Sequence, residues 1–125
     1  MALASAMESD DSGPALARAY YAALDEGDYE RLAGLLAPEF VHERPDRTLE
    51  GRDRFVRFMR EDRPLTDTRH PIDAVYVPEG DGRDPSTDVA VRGRLLRADG
   101  SLLVAFVDCF EVGDGTLRSL RTYTA

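Results

Sequence analysis

Apolar residues recur at helical spacing in the first half of the chain and at strand spacing in the second. Leu16, Ala19, Tyr20, Ala23 and Leu24 share one face, because side chains three and four residues apart stack on the same side of an α-helix. Ser12 supplies a cap at the start of this helix, and Pro14 fits a first turn whose N–H groups have no helical partner. Gly27 ends it, since glycine adopts the left-handed closing conformation without a Cβ clash. Asp28 caps a second short helix that turns Leu32, Leu35 and Leu36 inward until Pro38 stops it. Residues 40–44 read as a short strand. Gly51 introduces a third helix with Phe55, Val56, Phe58 and Met59 in one apolar stripe, closed by Pro64.

Alternation then takes over. Residues 68–77 carry a strand pattern broken at Pro71, which places it at a sheet edge or bulge, because proline donates no ladder hydrogen bond. Glycine, proline and aspartate make residues 79–86 a loop. Three strands follow at about 87–97, 102–112 and 116–124, joined by turns at Asp99-Gly100 and Gly113-Asp114-Gly115. Both parities are apolar in the middle strand: Leu102, Val104, Phe106 and Phe110 on one side, Leu103, Ala105, Val107 and Cys109 on the other. Such a strand is covered on both faces. Helices cover the concave face, so the outer face is expected to meet a second copy in a homodimer. Helices followed by a meander predict an α+β fold, with three N-terminal helices packed on the concave face of a curved, mainly antiparallel sheet.

At 125 residues the chain fits one domain, spanning residues 14–125 after a flexible acidic tail at 1–13. The formal charge is −8 with no lysine, and 15 aspartates outnumber 9 glutamates. That surface repels phosphate backbones and anionic lipid, so neither nucleic acid nor membrane is an expected partner. The same bias is compatible with GC-rich coding and with a salt-rich cytoplasm. No basic residue precedes Arg18 and no apolar run reaches bilayer length, so a cytoplasmic protein is expected. One cysteine, Cys109, allows no intrachain disulfide and reads as a small buried apolar side chain. No phosphate loop, dinucleotide fingerprint or metal-ligand cluster is found, and no metal or cofactor is expected.

Asp108 interrupts the apolar parity set by Phe106 and Phe110. A carboxyl turned into a core must be hydrogen-bonded, paired with a cation or protonated. It is open to a structural role, to donating a hydrogen bond as a neutral acid, and to abstracting a proton from a ligand.

Four segments together resemble the NTF2-like superfamily, and more narrowly the SnoaL-like polyketide cyclases and the ketosteroid isomerases. They are the run from Ala19 to Asp28, the Leu35-Leu36-Ala37-Pro38-Glu39-Phe40 segment, the helix after Gly51, and Val107-Asp108-Cys109-Phe110 before Asp114-Gly115-Thr116-Leu117. The resemblance runs from Pro14 to the C-terminus and implies a cone-shaped fold. It is informative for the fold and not for the reaction, because this scaffold hosts many chemistries. The isomerases hold a developing enolate oxygen with a helix-one tyrosine and a protonated strand aspartate, an arrangement that is a known example of a carboxylic acid kept neutral by an apolar site. The resemblance puts Tyr20 and Asp108 in those places. The proton-shuttling aspartate is replaced by Arg44, which cannot act as a base, so standard ketosteroid isomerase activity is not expected. His42 shares the parity of Phe40 and Arg44 and can stand in as base, with a half-buried structural histidine as the alternative. Arg44 either holds Asp108 ionised and receives an anionic ligand or points out of the cone. His70, beside Pro71, is expected at the surface. The resemblance further implies a cavity lined by Phe40, Phe55, Phe58, Met59, Phe106 and Leu120. The expected ligand is a small apolar or weakly anionic molecule. The reading is a cofactor-free isomerase, cyclase or lyase working by proton transfer, and its alternative is a non-catalytic ligand-binding or dimerisation module with a buried Tyr20-Arg44-Asp108 network.

Overall fold

The computed structural model describes residues 12–63, 67–79 and 88–125. All but the last two residues of the expected tail, Pro64 and nearly all of the expected 79–86 loop lie outside these. Helix α1 (Gly13–Glu26) begins where Ser12 accepts a hydrogen bond from the Ala15 N–H and ends at Gly27, whose φ is 70°. Ser12 and Gly13 therefore belong to the helix start. Its buried face is wider than the expected stripe: Ala17 and Tyr21 join Leu16, Tyr20, Ala23 and Leu24. Two adjacent rows are buried because α1 lies in the concavity and meets packing partners on both flanks. Helix α2 (Tyr29–Leu35) is capped by Asp28, which accepts from the Arg31 N–H.

Strand β1 (Leu36–Glu43) starts earlier than expected and contains Pro38. It runs parallel to the last strand with a register shift between Leu36 and Val41, so an exposed bulge takes up the proline while Phe40 and His42 turn inward. After the three-residue β2 (Thr48–Glu50), Gly51 at φ 93° leads into α3 (Arg52–Arg57), which continues as a π-helical turn at Phe58–Asp62. The widened turn keeps both Phe58 and Met59 buried.

Strands β3 (Ile72–Tyr76), β4 (Val89–Leu96), β5 (Leu102–Gly113) and β6 (Thr116–Thr124) complete a curved six-stranded mixed sheet in the order β2-β1-β6-β5-β4-β3. Every pairing is antiparallel except β1 with β6. The strand broken at Pro71 is the edge strand β3, as expected. Phe40, Phe55, Phe110, Leu117 and Leu120 fill the space between helices and sheet, with the Phe40 and Phe55 rings 4.9 Å apart edge to face. Gly93 on β4 faces Phe106, and a Cβ there would come within 2.8 Å of Phe106 Cζ and 2.9 Å of the Pro71 carbonyl oxygen. Only a glycine lets the Phe106 ring lie so close to the sheet.

The outer face of β5 is not covered by the described residues. Val107 and Cys109 are exposed there, which corrects the expectation of a buried cysteine: its parity is that of the convex face, where the helices do not reach. Among the described residues no helix is long and apolar enough to cross a membrane.

Candidate functional site

Asp108 points inward from the centre of β5 and is 5% exposed. Both of its oxygens are engaged. Tyr21 of α1 donates to Oδ2 at 2.5 Å, and Thr122 of β6, its cross-strand neighbour, donates to Oδ1 at 2.5 Å. Burial raises the Asp108 pKa above the usual carboxylate value; the Thr122 and Tyr21 hydrogen bonds oppose that rise, as do the more distant charges of His70 and Arg44.

The chain of hydrogen bonds continues from Thr122 to His42, whose Nε2 lies 2.8 Å from Oγ1. Because the single Thr122 hydroxyl hydrogen goes to Asp108, His42 donates from Nε2–H and its Nδ1 is a bare acceptor, buried without a hydrogen-bond partner among the described residues. Burial is the main reason the imidazole is pushed down to about 3, with the Arg44 charge adding to it. His42 is therefore neutral, more deeply buried than expected, and a weak proton acceptor.

These groups open onto a cavity of about 320 Å³. Three of the ring and methionine positions expected to line it do so: Phe58, Met59 and Phe106. Phe40, Phe55 and Leu120 do not; they form the packed layer behind it, where β1 and α3 close onto the sheet. Tyr20 lines the cavity, stacked on Phe55 and edge-on to Phe110, and makes no hydrogen bond among the described residues. The tyrosine bonded to Asp108 is thus Tyr21, not Tyr20. Burial raises the pKa of both tyrosines, so both hydroxyls keep their protons.

Arg44 stands at the cavity rim. Its Nε is 3.2 Å from Asp46 Oδ1 and its guanidinium lies 5.2 Å from the Phe58 ring centre, with no hydrogen bond to Asp108. The expected Tyr20-Arg44-Asp108 network is replaced by Tyr21-Asp108-Thr122-His42, because Asp46, two residues away in the β1–β2 connection, captures the arginine.

His70 is a further departure from expectation. It lines the cavity half-buried, with its ring 5.6 Å from that of Tyr21 and 6.0 Å from that of Phe106. Asp25 of α1 accepts from its backbone N–H at 2.9 Å and faces Nδ1 at 2.6 Å. Tyr21, Thr122, His70 and Asp25 were not singled out from the sequence as site residues. Thr122 alone had a legible signal, as a polar residue sharing the inward parity of Leu120.

A curved sheet wrapped by three helices around a mostly apolar cavity, with one buried carboxyl at its centre, defines a cone-fold pocket domain. The model of the SnoaL-like domain matches residues 17–120, and the chain belongs to that family. No curated protein matches it by sequence. Among solved structures, an NTF2-like protein of unknown function from Cytophaga hutchinsonii superposes with TM-score 0.73 at 18% identity, covering 91% of this chain and 90% of that one. A protein from Kribbella flavida, provisionally assigned as a ketosteroid isomerase, is 27% identical with TM-score 0.68, covering 89% of this chain and 76% of that one. One from Sinorhizobium meliloti, provisionally assigned as a polyketide cyclase, is 20% identical with TM-score 0.70, covering 86% and 93%.

Proposed function

We propose that the protein is a cofactor-free proton-transfer enzyme of the isomerase or cyclase type that takes a small, mostly apolar carbonyl compound into its cavity. The observation that carries this reading is the Tyr21-Asp108-Thr122-His42 chain set into a wall otherwise dominated by aromatic and aliphatic side chains. A carboxyl whose pKa is raised by burial is a better proton acceptor than an exposed one, and it is held in one orientation by two donors. The volume lies at the lower end of small-molecule sites, which start at roughly 300 Å³, so the ligand is of one or two rings.

In this reading the Tyr20 hydroxyl, which has no competing partner, donates to the ligand carbonyl oxygen. Asp108 takes a proton from the adjacent carbon. The C–H electron pair becomes the enolate double bond, the charge moves to the oxygen under Tyr20, and Asp108 returns the proton to the same carbon or to a conjugated one. His42 acts through Thr122, since an imidazole pushed to about 3 is too weak a base. Arg44 at the rim favours a ligand carrying partial or full negative charge.

The test is conversion of a β,γ-unsaturated cyclohexenone to its conjugated isomer, followed by the absorbance of the enone. Asp108→Asn is expected to lower the rate by about 10²-fold or more, the usual contribution of a general acid–base group. An equal rate in that variant removes Asp108 from proton transfer, and ligand binding without any turnover favours the non-catalytic module.

A second copy of the chain is proposed to cover the outer sheet face. Val107 and Tyr123 are registered cross-strand neighbours there, both exposed, with Tyr76 and Val77 exposed beside them. Arg121 and Glu43, paired at 2.7 Å, border the same surface.

A further inference from the structure

His70 lines the cavity and, paired with Asp25, is an acid–base group that the proton transfer described above does not use. Its geometry is specific. Asp25 contacts His70 twice, through the backbone N–H at 2.9 Å and through Nδ1 at 2.6 Å, so one carboxylate fixes both the segment and the ring. Nδ1 is thereby committed to Asp25, and Nε2 makes no hydrogen bond among the described residues. The side chain is 13% exposed and belongs to the cavity lining, wedged beside Tyr21 and Phe106. The residue lines the same cavity as Asp108, held there by a carboxylate that engages one nitrogen of its ring.

We propose that His70, oriented by Asp25, is a second proton-transfer group of this cavity, and that the substrate is a carbonyl compound with an oxygen leaving group on the β carbon. The proposal rests on the proton-transfer reading of Asp108 and extends it. One base alone exchanges or moves a proton, whereas two groups on one cavity also permit elimination. Asp108 removes the proton from the carbon next to the carbonyl, and the C–H pair forms the new double bond. The bond from the β carbon to its hydroxyl breaks, and the departing oxygen takes the proton from the His70 imidazolium, leaving as water. The ligand loses one water, Asp108 ends protonated and His70 neutral, and transfer between the cavity and solvent resets both. Asp25 is a positioning residue: its carboxylate fixes both the backbone and the ring of His70. The other charged or titratable groups facing His70 are Tyr21 on α1 and Asp108 on β5, with Arg63 and Arg44 lining the same cavity.

The experiment uses the β-hydroxy ketone formed from acetone and benzaldehyde, with two readouts on each purified variant. Dehydration is followed by the absorbance of the conjugated enone, and exchange of the protons next to the carbonyl in heavy water is followed by NMR. His70→Gln is expected to lower the ratio of dehydration to exchange about 10²-fold. Asp108→Asn lowers both together. Asp25→Asn is expected to lower kcat for dehydration while leaving KM and the exchange rate unchanged, a split that loss of packing alone would not produce. An unchanged ratio in His70→Gln, or a wild-type protein that exchanges but does not dehydrate, overturns the assignment of His70 while the reading of Asp108 stands. A wild-type protein that does neither overturns both.

Discussion

Tyr21 donates its hydroxyl hydrogen to Oδ2 of Asp108 at 2.5 Å, joining helix α1 to the central strand β5 across 87 positions of sequence. This bond and the Thr122 bond are what make a buried carboxyl tolerable in an aromatic core, because each offsets part of the desolvation that burial imposes.

Tyr21→Phe removes one of the two donors and leaves Oδ2 buried without its partner. The expected loss is about 1–3 kcal/mol, the cost of an unsatisfied buried acceptor. Tyr20→Phe removes a hydroxyl with no hydrogen-bond partner among the described residues, so its expected change is smaller. Urea midpoints of the two variants check this, and equal losses would mean that the 2.5 Å bond contributes nothing specific.

Acid sensitivity follows from His42. Its folded pKa is lowered from 6.5 to about 3, so between these values the unfolded chain binds a proton that the folded protein does not. Stability contributed by this group is present above 6.5 and is lost as pH falls toward 3, at up to about 1.4 kcal/mol per pH unit. Asp108 works in the opposite sense: its raised pKa stabilises the fold as it is protonated, over the interval above 3.8. His42→Gln is therefore expected to flatten the decline in melting temperature below pH 6.5, and an unchanged decline in that variant would show that His42 is not the group responsible.

Gly93→Ala puts a Cβ within 2.8 Å of the Phe106 ring and 2.9 Å of a fixed backbone oxygen. The ring can turn but the Pro71 carbonyl cannot move without shifting the edge of the sheet. A loss of about 1–3 kcal/mol is expected, as for overpacking in general, together with weaker ligand binding because Phe106 is a cavity wall. Chemical denaturation measures the first and ligand titration the second.

Val107→Arg places a charge on the exposed outer face of β5, beside its cross-strand neighbour Tyr123. If a second copy covers that face, sedimentation should show a dimer for the parent protein and a monomer for the variant, with the melting transition of the variant dependent on neither concentration nor partner. A monomeric parent protein refutes the pairing.

Several elements were legible because each rests on a local rule: the Ser12 and Asp28 caps, the Gly27 terminus, the edge position after Pro71 and the hairpins flanking β5. The inward aspartate was legible from parity alone. Beyond the inward parity of Thr122, its pairing was not, for reasons of register. The β5–β6 hairpin pairs Val112 with Leu117 but Glu111 with Ser119, so a bulge shifts every later pair by one residue. Without it Arg121 would sit opposite Asp108; with it the partner is Thr122. Likewise Tyr20 and Tyr21 are adjacent on a helix buried over two rows, and only packing decides which of them meets β5. His70 became a cavity residue through Asp25, 45 positions away, a pairing that no spacing rule anticipates.

Catalysis in this cavity requires that Asp108 move a proton on a bound ligand. Proton exchange next to the carbonyl of β-tetralone in heavy water, followed by NMR with and without Asp108→Asn, measures that step with no demand on later chemistry. The wild-type protein is expected to accelerate exchange well above the protein-free rate, and the variant to lose about 10²-fold or more of that acceleration while keeping its fold. Equal exchange by both proteins, or none by either, would contradict it.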